Sequence, residues 1–251
     1  MLTSTSVPPP RSRRMTCSFA MSTEHIVAII QARMASTRLP GKTLAPFGDS
    51  TVLNHILERL QSVERLPELV VATTEDPEDD VIVTACKEAG IEAYRGHATD
   101  VLGRFVACIK ELPSQPDLIL RICADRPFLC PVLVDELLRG YDEHGHPDYL
   151  SNSLQPSYPR GLDLEIVRTD CLMDSHCESQ DPYEREHVTP FVYRRLERYK
   201  VVGLICPYGN YSYADLAIKT PADYKRLTTL HGQLPADYDY RDLLNALELA
   251  G

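Results

Sequence analysis

From residue 26 onward, short runs of apolar, β-branched residues alternate with segments whose apolar positions recur every three to four residues. Residues 26–30, Ile-Val-Ala-Ile-Ile, read as a buried strand. The spacing of Leu53, Ile56, Leu57 and Leu60 predicts a helix over 51–62 with one buried face and Ser50 as its N-cap. A strand at 69–72 follows, then a helix at 77–89 opened by Asp76 before Pro77 and closed at Gly90. Strands at 92–95 and 118–123 and helices at 101–111 and 132–141 continue the alternation. This βαβα order predicts a Rossmann-like α/β fold, a mostly parallel mixed sheet with helices on both faces and right-handed crossovers. Past Gly145 the pattern loosens, with strands expected at 149–151, 164–167 and 201–205 and helices at 169–176 and 188–197. Helices at 221–229, capped by Thr220, and at 241–250 end the chain. No Gly/Ser-rich linker or internal repeat divides it, so one domain is expected over 25–251.

Residues 1–24 lie outside this pattern. They contain Pro8, Pro9 and Pro10 and three arginines, with no acid before Glu24. An Arg-rich transit peptide fits that composition; a disordered tail or an over-long start, with Met15 or Met21 as the true first residue, fits it better. Arg11, Arg13 and Arg14 are three of the 26 basic residues, which leaves 23 against 36 acidic ones in the body, a net charge of −13. That sign argues against nucleic acid and anionic membranes as partners, while a local basic cavity for a phosphorylated small molecule stays open. Every hydrophobic run is interrupted by a charge well short of a membrane span. The eight cysteines include no C-x-x-C pair, which fits reduced thiols in a cytoplasmic protein.

The densest chemistry follows the first strand directly, in Gln31-Ala32-Arg33-Met34-Ala35-Ser36-Thr37-Arg38-Leu39-Pro40-Gly41-Lys42. In an open α/β sheet this loop lies at the carboxyl edge, where ligands bind and small residues let backbone N–H groups approach phosphates. Arg33, Arg38 and Lys42 would neutralise a polyphosphate there; the plainer alternative is a solvated turn. Gly41-Lys42-Thr43 imitates the end of a P-loop, but Ser36 replaces its first glycine and Pro46-Phe47-Gly48 precedes the helix, so that geometry is rejected. No G-x-G-x-x-G or G-x-S-x-G occurs.

Asp125 ends the strand at 118–123 and puts a carboxylate at the same edge, suited to a hard cation or to capping the turn before Pro127. Thr73 and Thr74 end the second strand, where amides and a hydroxyl could read a pyrimidine edge. Arg104 could reach this site or pair with Asp100 four residues earlier. In Pro159-Arg160-Gly161-Leu162-Asp163-Leu164-Glu165, Asp163 and Glu165 fall on one strand face, and Arg160 either serves a ligand or pairs with Asp163. His187 in Glu184-Arg185-Glu186-His187 could orient a substrate, act as a base, or be a surface histidine. His144-Gly145-His146 reads as a solvated helix end.

Ala-Arg-x-x-Ser-Thr-Arg-Leu-Pro-Gly-Lys after a strand resembles the signature of the CMP-Kdo and CMP-acylneuraminate synthetases. The chain from Ile26 is most similar to their spore-coat polysaccharide cytidylyltransferase branch. Further blocks in matching order are Val70-Val71-Ala72-Thr73, Arg95-Gly96 with Asp100-Val101-Leu102, Arg121 with Asp125 and Pro127, Pro159 to Asp163, and Glu184 to Pro190. The resemblance implies a nucleotidyltransferase domain that moves CMP from CTP to a small acidic acceptor and releases pyrophosphate, in glycan or polysaccharide biosynthesis, as a homodimer. By the same resemblance Arg33, Ser36, Arg38 and Lys42 hold the triphosphate, with Gln31, Ala32, Asp100 and Arg104 nearby. Ala72 and Thr73 read cytosine, and Asp125 binds Mg²⁺. Arg121, Arg160, Asp163, Glu165 and His187 are the expected acceptor side.

One position departs from the pattern. Where the family carries a second metal-binding aspartate, Leu216-Ala217-Ile218-Lys219-Thr220-Pro221 places Lys219. Lys219 could lie against the phosphates in place of part of the metal's charge, or mark weakened catalysis, and Asp215 could supply the missing carboxylate. A non-catalytic nucleotide-binding homologue and a transferase of another nucleotide are the alternative readings.

Overall fold

A computed structural model describes residues 24–249 except Glu64 and Pro67; the expectations for the leader before Glu24 and for Ala250 lie outside the described residues. Nine strands are described, β1 (Ile26–Gln31), β2 (Pro46–Phe47), β3 (Ser50–Thr51), β4 (Glu68–Thr74), β5 (Glu92–Gly96), β6 (Leu118–Cys123), β7 (Tyr149–Ser151), β8 (Glu165–Arg168) and β9 (Val201–Gly203). Among them run α1 (Val52–Gln61), α2 (Asp80–Glu88), α3 (Val101–Glu111), α4 (Pro131–Glu143), α5 (Thr169–Glu178), α6 (Pro182–His187), α7 (Pro190–Tyr193), α8 (Pro221–His231) and α9 (Tyr240–Leu249).

Seven strands form one sheet in the order β5-β4-β1-β6-β8-β7-β9. Neighbours among β5, β4, β1 and β6 pair in parallel, and β8 runs antiparallel to both β6 and β7. Alternation along β1 explains the double covering. Ala28 and Ile30 face one core with Leu53, Ile56, Leu57 and Leu60 of α1 and Leu133 and Leu137 of α4. Val27 and Ile29 face the opposite core with Leu102, Phe105 and Ile109 of α3 and Leu172 of α5. A strand buried on both faces must be apolar at every position, as the run from Ile26 is.

The chain leaves β1 toward β4 and β5 on one side and returns to β6 on the other. The ends of β1 and β6 therefore flank a topological switch point, with Gln31 beside Cys123.

Most predicted elements are present, with local corrections. Thr51, not Ser50, caps α1, its side chain accepting from the Asn54 amide at 3.2 Å. Ser50 instead pairs with Phe47 in the small β2–β3 hairpin, which is too short to show periodicity. Of the helix expected at 188–197 only α7 forms; α6 precedes it as a separate short helix, and between them Val188 sits at a φ of 72° that a β-branched residue normally avoids. Thr220 caps α8 in a full capping box with Asp223. No helix among the described residues is long and apolar enough to cross a membrane.

Candidate functional site

The loop after β1 is held from below. Gly41, at φ 76°, donates its amide to Met34 O at 3.0 Å, a left-handed turn that favours glycine. The Thr43 hydroxyl donates to Arg33 O at 2.8 Å, and Ser36 Oγ accepts the Leu39 amide at 3.3 Å. Buried Asp79 ties the loop to β4, because its carboxylate accepts the Met34 amide at 2.7 Å, the Thr73 hydroxyl at 3.0 Å and the Thr74 amide at 3.2 Å. Sequence reading missed Asp79, since the run Asp76-Pro77-Glu78-Asp79-Asp80 looks like a solvated helix start.

The resulting cavity, about 780 Å³, is lined by Gln31, Ala32, Arg33, Ser36, Arg38 and Lys42 of the loop together with Asp125. Lys42 Nζ lies 2.6 Å from Asp125 Oδ2 and donates to Ile218 O at 2.8 Å. Its side chain is 15% exposed and that of Asp125 31%, so the pair is half-withdrawn from water yet reachable by a ligand. Glu78, Val101, Arg104, Arg121, Cys123, Arg126, Glu186 and His187 complete this wall.

A second cavity of about 300 Å³ shares Arg121, Asp125 and Arg126 with the first and adds Arg160, Asp163, Glu165 and Lys219. Its carboxylates are largely spoken for. Arg121 faces Glu165 directly across the β6–β8 ladder, and the two form a buried ion pair. Arg121 Nη2 also donates to Gln31 Oε1 at 2.9 Å, and the hydroxyls of Tyr149 and Thr189 donate to Glu165. Burial alone pushes the Glu165 carboxyl up, but the Arg121 guanidinium and these hydroxyls outweigh it and hold it below the ordinary carboxylate range. Arg126 pairs with Asp163 at 3.3 Å and donates to Asp163 O at 2.8 Å. Arg160 is exposed, and no described side chain pairs with its guanidinium. Gly161 beside it sits at φ 95°, and a Cβ there would meet the Leu216 carbonyl carbon at 2.6 Å. That close approach lets 214–219 run past Arg160 and bring Lys219 into the cavity.

Several expectations need correction. Ala72 and Thr73 line neither cavity: both are completely buried, and the Thr73 hydroxyl is committed to Asp79. Asp100 is the N-cap of α3, accepting from the Gly103 amide at 2.9 Å while paired with Arg185. It lines a third cavity of about 310 Å³ rather than the first. Arg104 is not paired with Asp100; its Nη1 donates to His97 O at 3.0 Å. His187 lines the first cavity, not the second, with its ring 4.3 Å from that of Tyr183. Arg160 and Asp163 do not pair, and Asp163 and Glu165 share a cavity while bound by different arginines. Asp215 turns to Lys219 and to the Ala217 amide, at 3.0 Å, and lines neither cavity.

No group of three or more His, Cys, Asp or Glu side chains that could hold a metal occurs among the described residues. A hard cation bound by one carboxylate and completed by substrate phosphates needs no such group, and Asp125 beside the loop fits that mode.

A cationic loop and a carboxylate thus meet at the switch point, with a second charged cavity adjoining. The chain is 32% identical to the spore coat polysaccharide biosynthesis protein SpsF of Bacillus subtilis over 214 residues, 82% of this chain and 86% of that protein. It superposes on a cytidylyltransferase from Leptospira borgpetersenii with a TM-score of 0.85 and 32% identity, covering 90% of this chain and 95% of the other. The fold is shared, at 20% identity and a TM-score of 0.62, with a CMP-2-keto-3-deoxy-manno-octonic acid synthetase complexed with CTP, covering 83% of this chain and 99% of that one. Residues 27–243 match the Cytidylyltransferase family, and the chain belongs to it.

Proposed function

We propose that the protein transfers the CMP moiety of CTP to a small anionic acceptor, with release of pyrophosphate. The observation that carries this reading is the Lys42–Asp125 pair at 2.6 Å, which stands where the loop cavity and the second cavity share a wall. Arg33, Arg38 and Lys42 bind the β- and γ-phosphates, which leaves the α-phosphate beside Asp125. The acceptor enters through the second cavity, where Arg160 and Lys219 attract its negative charge. Its hydroxyl oxygen forms a bond to the α-phosphorus and gives up its proton to water, while the bond to the bridging oxygen breaks and pyrophosphate departs. Asp125 would hold Mg²⁺, which when bound polarises the phosphate oxygens. Alignment and charge neutralisation carry most of the catalysis in such a transfer. The acceptor class is an acidic sugar or another carboxylate- or phosphonate-bearing molecule, in a glycan-building route as the similarity to SpsF suggests.

A second reading rests on Lys219, a cation where the family pattern has an acid: a protein that binds the nucleotide without turning it over. A pyrophosphate-release screen of CTP against acidic sugars and phosphonates tests both. Release with one acceptor supports the transferase. Binding of CTP with no release from any acceptor, and release restored by Lys219→Asp, supports the binding protein. A thermal-shift series with CTP, UTP, GTP and ATP tests the nucleotide, because a selective ligand raises the melting temperature by mass action. Stabilisation by GTP alone removes cytidine from the proposal.

A further inference from the structure

The residues expected to read the base, Ala72 and Thr73, are sealed beneath the loop, so base recognition falls elsewhere in the cavity. The three cavities adjoin through shared lining residues. The acceptor-side cavity joins the central one through Arg121, Asp125 and Arg126, and the third joins it through Arg104 alone. With the α-phosphate facing the acceptor cavity as proposed above, the ribose and base are placed away from it, toward the Arg104 end. There Arg104 stands on α3 beside Val101 in the central wall.

Arg104 is 3% exposed, which is unusual for an arginine without a carboxylate partner. Its Nη1 donates to His97 O, and Nε has no partner among the described residues. Burial and then the nearby Arg33 push its pKa down to about 10, only partly offset by the Asp79 and Asp100 carboxylates, neither of which pairs with it. A buried donor set left partly unsatisfied points to a ligand that completes it. Guanidinium only donates, and on a cytosine edge N3 and O2 accept, whereas uracil presents N3–H as a donor.

We infer that Arg104 is the base-reading residue, its guanidinium donating to the N3 and O2 edge of cytosine and thereby selecting CTP over UTP. This rests on the nucleotide placement proposed above. The test is calorimetric binding of CTP, UTP and inorganic tripolyphosphate to the full chain and to its Arg104→Met, Arg104→Lys and Lys42→Met variants. Arg104→Met is expected to weaken CTP about tenfold or more and to bring the CTP-to-UTP affinity ratio close to one, with tripolyphosphate affinity unchanged. Arg104→Lys keeps the charge but loses the planar fork, and is expected to lose the same selectivity with an unchanged melting temperature. Lys42→Met is expected to weaken CTP and tripolyphosphate together. Parallel loss of CTP and tripolyphosphate in the Arg104 variants, or a CTP-to-UTP ratio that stays at the parent value, overturns the inference. A parent chain that binds tripolyphosphate but does not prefer CTP instead defeats the cytidylyl reading itself.

Discussion

The Lys42 ammonium lies 2.6 Å from the Asp125 carboxylate and 2.8 Å from the Ile218 carbonyl, so one side chain joins the loop after β1, the turn after β6 and the segment before α8. Asp125 and Ile218 lie 83 and 176 residues from Lys42 along the chain. They meet because β1 and β6 are neighbours at the switch point and because Ile218 donates its amide to Asp125 O at 2.9 Å.

Replacing Lys42 with Met removes the charge proposed to face the triphosphate and leaves Asp125 unneutralised. Pyrophosphate release at fixed CTP is expected to fall by about 10²-fold or more, the size seen when one preorganised electrostatic contact to a developing charge is lost. Activity within a factor of three of the parent would show that the loop does not hold the phosphates through this residue.

Asp79→Ala leaves the Met34 and Thr74 amides without their buried acceptor. Orphaned buried donors cost about 1–3 kcal/mol each, so a loss of about 2–4 kcal/mol in urea unfolding is expected. Nucleotide affinity should fall as well, because the loop loses its tether to β4. An unchanged urea midpoint would mean that water takes over both amides.

Glu165→Leu strips Arg121 of its buried counter-charge, and about 3–5 kcal/mol of destabilisation is expected from an ion left unpaired in the interior. The double variant Arg121→Met, Glu165→Leu removes both charges and should recover much of that loss. Equal destabilisation in the single and double variants would show that packing, not the unpaired charge, dominates.

His55 packs among Phe47, His231 and Tyr238, its Nε2 within 3.1 Å of the Tyr238 hydroxyl. Burial, then the neighbouring His231 and Arg59, push its pKa down from 6.5 to about 4. The unfolded chain therefore binds a proton at this site between pH 6.5 and about 4 that the folded chain refuses. The stabilisation is complete above pH 6.5 and is lost as pH falls toward 4. Urea midpoints at pH 7 and pH 5 should separate less in His55→Gln than in the parent. Identical pH slopes in the two proteins would place the acid sensitivity elsewhere.

Period and punctuation along the chain were enough to foresee the layered sheet. The Ile26 run, the Leu53–Leu60 stripe and the Gly90 stop are local signals whose meaning does not depend on distant partners. The cationic loop was legible for the same reason, since three charges directly after a buried strand have few places to go. Composition could not tell which polar groups would be used up by one another. Asp79, Glu165 and Asp215 look alike in a sequence, yet the first holds the loop, the second neutralises a buried arginine and the third pairs with Lys219 while lining neither cavity. Thr73 lost its hydroxyl to Asp79, and Asp100 became a helix cap held by Arg185. Such pairings are settled by long-range packing, because a buried polar group must find a partner among whatever the fold brings within about 3 Å, wherever that partner lies in the chain.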